Sequence, residues 1–162
     1  MTTRRLALAA LLALLVGVPL AYAGWNELQL HRGRHVLLRV EPFDPNDPFR
    51  GNYVQVSYAV SRVSTTDIPS GVTAYVPLRR RADGTWTAVT ATTRRPTGGV
   101  FLRGRVLWVT TNGAFVDYGS ERYYVQEGTA GRYEAAIARR KLYADVVVGS
   151  DGTSRIAKLV TR

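Results

Sequence analysis

Short apolar runs rich in Val, Tyr, Phe and Trp constrain the fold of this chain most strongly. From His35 onward these runs recur at intervals of roughly ten residues, with turn residues between them, a pattern typical of an antiparallel β domain. The alternation is strictest in residues 53–60, where one face carries Val54, Val56, Tyr58 and Val60. We expect that face to lie in the core, because successive side chains of a strand point to opposite sides.

Turn signals divide the runs into strands. Asp83-Gly84 predicts a hairpin between residues 73–78 and 85–92, and Ser150-Asp151-Gly152 predicts another between residues 143–148 and 154–160. Further strands are expected at residues 36–41, 100–110, 115–118 and 122–126.

One short helix is predicted at residues 134–142, where good helix formers precede Arg139, Arg140 and Lys141. The predicted fold class is therefore mainly β, as an antiparallel sheet, a small barrel or a sandwich with this one helix, plus an N-terminal transmembrane or signal helix.

The N-terminus carries an uncharged apolar stretch, residues 6–25, directly after Arg4 and Arg5. Such a stretch is typical of an export or membrane-insertion signal. A retained helix of that length would cover about 30 Å, enough to span a bilayer. Alternatively, Ala21-Tyr22-Ala23 would serve as a cleavage site, and the protein would be secreted after cleavage following Ala23. Both alternatives place the folded part outside the cytoplasm.

Three regions follow from this pattern. Residues 1–25 form the anchor or signal segment, residues 26–34 a juxtamembrane linker, and residues 35–162 a single extracytoplasmic β domain of ordinary size.

The composition excludes several classes of protein. The chain has no cysteine, which excludes disulfides, thiolate metal sites and cysteine nucleophiles. Its 22 Lys and Arg against 12 Asp and Glu give a net charge of +10, spread over scattered clusters. Together with the apolar N-terminus, this spread argues against nucleic-acid binding and leaves anionic lipid or an acidic partner.

The segment from Glu41 to Tyr53 is unusually constrained. Its three prolines fix their own φ angles and favour extended geometry in the residues before them. One interpretation is a binding loop that presents Arg50, Asn52 and Tyr53 to a partner. The other is that Asp44, Asp47 and Asn52 satisfy backbone groups while Tyr53 and Tyr58 pack.

Two blocks of the sequence resemble the GDYxxLxY family of membrane-anchored bacterial proteins. The name motif is Gly51-Asn52-Tyr53-Val54-Gln55-Val56-Ser57-Tyr58, and residues 42–50 resemble the family's Pro-rich lead-in. Residues 118–128, with Glu134 after them, are similar to the family's downstream motif. Asn52 replaces an Asp of the motif and so removes a negative charge, whereas Val56 replaces a Leu conservatively.

The resemblance implies an anchored periplasmic or cell-surface domain with a retained N-terminal helix, followed by a Glu, here Glu27. It also implies a partner, since relatives are associated with multi-spanning integral membrane proteins. It implies no biochemical activity, because the family's function is unassigned.

Catalytic and metal-binding patterns are sparse. His31 and His35 lack a third ligand, no nucleophile elbow is present, and no metal site or cofactor is predicted. Two of Glu121, Glu127 and Glu134 could act as an acid and base pair, but ion pairs with Arg122 and Arg132 are the favoured interpretation.

The leading functional hypothesis is a noncatalytic domain that binds an integral membrane or envelope protein. Its candidate binding residues are Asp44, Asp47, Arg50, Gly51, Asn52, Tyr53, Tyr58, Glu121, Arg122, Tyr123, Glu127 and Gly128. The alternatives are an envelope-polymer hydrolase that uses a carboxylate pair about 5 to 10 Å apart, and a domain that binds anionic lipid or another anionic surface through its arginines.

Overall fold

The computed structural model describes residues 2–41, 53–65, 68–124 and 130–162. The chain divides into two compact units, Met1–Gly33 and Arg34–Arg162. The first unit is one helix, α1 (Thr2–Arg32), with Pro19 inside it. Large apolar side chains along α1 are exposed, among them Leu12, Leu15 and Leu20. Within the described ranges, no helix combines the length and apolarity needed to cross a membrane.

The second unit is mainly β, as the sequence predicts. Its strands are β1 (Arg34–Glu41), β2 (Tyr53–Gln55), β3 (Ser57–Tyr58), β4 (Arg62–Val63), β5 (Thr73–Arg80), β6 (Trp86–Ala88), β7 (Val100–Thr110), β8 (Gly113–Asp117), β9 (Arg122–Tyr124), β10 (Leu142–Val148) and β11 (Ser154–Thr161). A 3-10 turn (Ala59–Ser61) joins β3 to β4, and the short helix α2 (Ala130–Ala138) lies between β9 and β10.

The strands form three antiparallel sheets, with orders β11-β10-β1-β3, β4-β8-β7-β5-β6 and β2-β9. The 3-10 turn carries the chain from the four-stranded sheet into the five-stranded one. A bridge between Leu37 and Thr85, which directly precedes β6, joins β1 of the four-stranded sheet to the β6 edge of the five-stranded sheet. These strands therefore make a nearly closed, barrel-like sheet around a core of Val, Leu and Ala side chains.

Both predicted hairpins are present. β5 and β6 pair around Asp83-Gly84, where Gly84 has a φ of 81°, and β10 pairs with β11 across the second turn. A positive φ is costly for side chains other than Gly, which explains why the turn signal was informative.

The prediction of one strand at residues 53–60 is wrong in its continuity. β2 pairs with β9, whereas β3 pairs with β1, so the chain changes partner at Val56. The alternation still identified the core correctly, since Val56, Tyr58 and Val60 are 1%, 1% and 2% exposed. Periodicity reports which side is buried and does not report which strand lies alongside.

The predicted helix is displaced towards the N-terminus, because α2 ends at Ala138 and not at residue 142. Arg140 adopts a left-handed φ of 55°. The Lys141 N–H donates to the Ala136 carbonyl at 2.9 Å, and the Arg140 N–H donates to the Ile137 carbonyl at 2.8 Å. This pair of bonds is a Schellman cap. Leu142 is fully buried in β10, so the chain must leave the helix before it.

Candidate binding site

The two-stranded ribbon of β2 and β9 joins the two sequence blocks. Its antiparallel register places Tyr53 opposite Tyr124, Val54 opposite Tyr123 and Gln55 opposite Arg122. Tyr53 follows residues 42–52 in the chain, and Tyr124 precedes residues 125–129. Both segments therefore connect to the same end of the ribbon.

The other end of the ribbon leads into the barrel. The Val56 N–H donates to the Glu121 carbonyl oxygen at 2.8 Å, which extends the pairing by one residue. The Val56 side chain is buried in the core. The ribbon is thus fixed at its base by a backbone hydrogen bond and by an apolar side chain.

A chain of hydroxyl groups connects the base of the ribbon to the C-terminal hairpin. The Tyr58 hydroxyl donates to the Ser120 carbonyl oxygen at 2.9 Å and lies 3.2 Å from Ser120 Oγ. Ser120 Oγ is in turn 3.0 Å from Ser154 Oγ at the start of β11. Tyr58 and Ser120 are both buried, and a buried polar group is costly unless it is hydrogen-bonded. These contacts therefore hold three distant segments together.

Tyr118 packs beside this chain. Its hydroxyl donates to the Val60 carbonyl oxygen, and its ring centroid is 6.4 Å from that of Tyr58. Burial raises the pKa of both Tyr58 and Tyr118. Both phenols therefore stay neutral and act as hydrogen-bond donors, not as proton-transfer groups.

The turn after β8 brings two carboxyl groups together. Asp117 Oδ1 accepts a hydrogen bond from the Gly119 N–H at 2.9 Å, and Gly119 has a φ of 74°. Glu121 Oε1 accepts from the Tyr118 N–H at 2.7 Å. The Glu121 carboxyl also lies within hydrogen-bonding reach of the Asp117 side chain.

The surroundings of Glu121 favour the protonated form of its carboxyl group. Glu121 Oε2 is buried and has no donor within the described part of the chain. Burial, followed by the hydrogen bond and the charge of Asp117, raises the pKa of Glu121 to about 8. A proton on Glu121 lets the pair form a hydrogen bond in place of a repulsive contact between two anions.

Gly104 of β7 makes room for this turn. A Cβ at that position would lie 2.5 Å from the Asp117 carbonyl oxygen, 2.5 Å from Val116 Cγ1 and 2.8 Å from Tyr118 Cδ1. Real Cβ atoms do not approach so closely, so β8 can reach this position only across a glycine.

The structure brings together part of the predicted site. Tyr53, Arg122 and Tyr123 lie in the ribbon, whereas Tyr58 and Glu121 lie at its base. Arg122 is exposed and Tyr123 is half-buried, so the Arg122 side chain is open to a partner on the ribbon. Seven predicted residues lie outside the described ranges: Asp44, Asp47, Arg50, Gly51, Asn52, Glu127 and Gly128.

Within the described residues, Glu121 forms no ion pair with Arg122. Arg122 starts β9 and pairs with Gln55, whereas the Glu121 carboxyl turns back to Tyr118 and Asp117. Asp117, Ser120 and Ser154 were absent from the predicted site. The spacing of Asp117 and Glu121 around Gly119 could have indicated a turn, but no local signal marks Ser154.

The architecture defines a small β domain in which a barrel-like sheet carries a two-stranded ribbon built from two motif blocks. The family model for the GDYXXLXY protein matches residues 15–159, and the chain belongs to that family. No curated protein and no solved structure matches the chain.

Proposed function

We propose that this chain is a noncatalytic extracytoplasmic domain, held at a membrane by its apolar N-terminal segment, that binds an integral membrane or other envelope protein. The binding surface in this proposal consists of the ribbon and the two segments that adjoin it in the sequence, residues 42–52 before β2 and residues 125–129 after β9.

The register of the ribbon is the observation that carries the proposal. Tyr53, which directly follows the Pro-rich block in the sequence, lies opposite Tyr124 of the downstream block. The hydroxyl chain from Tyr58 to Ser120 and Ser154 supports the base of the ribbon. A well-supported scaffold favours binding, because it lowers the entropy lost on association.

The tether is supported by the exposed apolar side chains of α1, including Leu14, Leu15 and Leu20. Residues 6–25 carry no charge, so water is an unfavourable environment for this stretch. We expect the mature protein to begin before residue 24 and to resist alkaline extraction from membranes. A mature N-terminus at Gly24 would show cleavage after Ala23 and would refute the retained anchor without affecting the binding proposal.

Photocrosslinking in intact cells tests the binding surface. A photoreactive side chain at Phe49, which precedes β2 in the sequence, or at Gln126, which follows β9, should capture the same membrane protein. The matched control carries the group at Ser70, an exposed turn residue between β4 and β5. Capture from neither Phe49 nor Gln126, in protein that is folded and retained in the membrane, would refute the proposal.

Hydrolysis by a carboxyl pair is the second candidate, and the protonated Glu121 beside Asp117 is the observation that favours it. The pair is in direct hydrogen-bonding contact, whereas glycosidase carboxyl groups stand about 5 to 9.5 Å apart. Glu121 is also engaged with the Tyr118 N–H. Release of fragments from purified envelope polymer by the wild type, and not by Asp117→Asn, would establish this candidate over the first.

A further inference from the structure

A basic groove lies away from the ribbon, between the outer face of β1, β10 and β11 and the hairpin of β5 and β6. Its volume is about 590 Å³. The floor follows one row of the sheet, in which Leu37 is opposite Asp145 and Asp145 is opposite Lys158. The wall is formed by Gly84 and Trp86, and the Leu37 to Thr85 bridge joins wall and floor.

The groove carries an excess of positive charge. Four permanently cationic side chains line it: Arg34, Arg80, Lys158 and Arg162. Among the lining residues, Asp145 carries the carboxylate. Its Oδ1 is hydrogen-bonded to His35 Nδ1 at 2.9 Å. None of the four cations forms an ion pair with another residue of the described ranges. Like charges that converge on a concave surface create a potential that attracts anions.

Trp86 adds a flat apolar surface to the groove. It is half-buried and packs against the edge of the core. An indole in a basic groove can contact a sugar ring or a glycerol backbone while the neighbouring cations bind an anion. Guanidinium groups also match the geometry of phosphate oxygens, which they bind in bidentate fashion.

We propose that this groove binds a phosphate-bearing ligand, with Arg80, Lys158 and Arg162 around the phosphate and Trp86 against the organic part. The four cations come from strands β1, β5 and β11 and from the C-terminal residue, so only the folded domain brings them together. The site is separate from the proposed binding surface on the ribbon.

Titration of the full-length protein in a neutral detergent tests the site. Inorganic pyrophosphate and glycerol 3-phosphate serve as probes, with heat of binding and the amide signal of Gly84 as readouts. Arg80→Gln and Lys158→Gln should each weaken binding by about tenfold, because each removes a charge-assisted contact.

Matched controls come from the same two strands. Arg79→Gln on β5 and Arg155→Gln on β11 remove the same charge at exposed positions that do not line the groove. Each should change affinity by less than about twofold, as expected for screened surface charges. Equal losses in all four variants, or no binding of either probe, would overturn the proposal.

The phosphate could belong to a soluble compound or to a lipid headgroup, and a second arm separates these sources. The protein is placed in nanodiscs of phosphatidylcholine with or without phosphatidylglycerol, and the Gly84 signal is followed. A shift that requires phosphatidylglycerol and disappears in Lys158→Gln identifies a lipid headgroup. A shift obtained with glycerol 3-phosphate alone identifies a soluble ligand.

Discussion

The Tyr58 hydroxyl donates a hydrogen bond to the Ser120 carbonyl oxygen at 2.9 Å, across 62 residues of sequence. Tyr58 is the last residue of the name motif, and Ser120 belongs to the downstream block. The two blocks that define the family are thus joined in one buried contact. A Tyr at the end of the motif supplies both the core side chain and the donor that this contact needs.

Tyr58→Phe should destabilise the domain by about 1 to 2 kcal/mol, because the buried Ser120 carbonyl loses its donor while the ring is retained. Urea denaturation measures the change. Tyr75→Phe is the matched control, since Tyr75 is half-buried and packs edge-on against Phe101 at 5.8 Å. The control should change stability by less than about 0.5 kcal/mol. Equal effects of the two substitutions would contradict this role for Tyr58.

Glu121 should make stability depend on pH. Its pKa in the folded protein is about 8, raised from 4.5, so the folded state binds more protons than the unfolded state between these values. The stabilisation by this proton is therefore complete below about pH 4.5 and is lost as the pH rises through about 8. The loss should amount to several kcal/mol, because each unit of difference in pKa between the folded and unfolded states contributes about 1.4 kcal/mol.

Glu121→Gln tests this dependence, because an amide keeps the shape and can donate to Asp117 at every pH. Urea denaturation should give free energies of unfolding that differ between pH 5 and pH 9 for the wild type. The difference between the two pH values should be smaller for the variant. Glu41→Gln, at a largely exposed pair with Arg62, should leave the wild-type dependence intact. A wild-type pH dependence that persists in Glu121→Gln would show that Glu121 is not its source.

Gly104→Ala should destabilise the domain by more than about 2 kcal/mol, since the added Cβ has no room and β8 must move. The nearest atoms belong to backbone and packed side chains at 2.5 to 2.8 Å. Gly98→Ala is the matched control, because a Cβ added there would meet nothing within 4 Å and the backbone does not adopt a left-handed φ. Thermal unfolding should leave the control within about 0.5 kcal/mol of wild type. If Gly104→Ala left the thermal stability unchanged, the close approach of β8 to residue 104 would not require a glycine.

Arg140→Gly should stabilise the domain by about 0.5 to 1 kcal/mol, because Gly avoids the steric cost that a Cβ imposes at a left-handed position. The residue occupies that position of the cap, with a φ of 55°. Arg139→Gly, one residue earlier, should destabilise the domain. A glycine there makes the unfolded chain more flexible and relieves no left-handed conformation in the folded one. Urea denaturation compares the two variants, and the reverse order of stabilities would count against the assigned cap.

Local patterns predicted much of this fold. The alternation around Tyr58 identified the buried face, and Asp83-Gly84 identified a hairpin, because both depend on neighbouring residues alone. The pairing of β2 with β9 depends on residues far apart in the chain, so no periodicity could predict it.

The candidate site was predictable only in part, because it too depends on contacts that no local sequence pattern reports. Opposite charge suggested that Glu121 would pair with Arg122, but consecutive residues at a strand start point in different directions. The turn around Gly119 instead brings Asp117 to Glu121. The basic groove draws Arg80 and Lys158 from different sheets, so its charge is scattered in the sequence and concentrated only in the folded domain.

The ribbon pairs β2 with β9, a strand that is synthesised much later. Contacts between distant segments form slowly, because closing a long loop costs entropy before any contact is gained. β2 must wait for β9 to be synthesised before the ribbon can exist. A partner that recognises both strands of the ribbon would therefore bind only chains whose synthesis has passed β9.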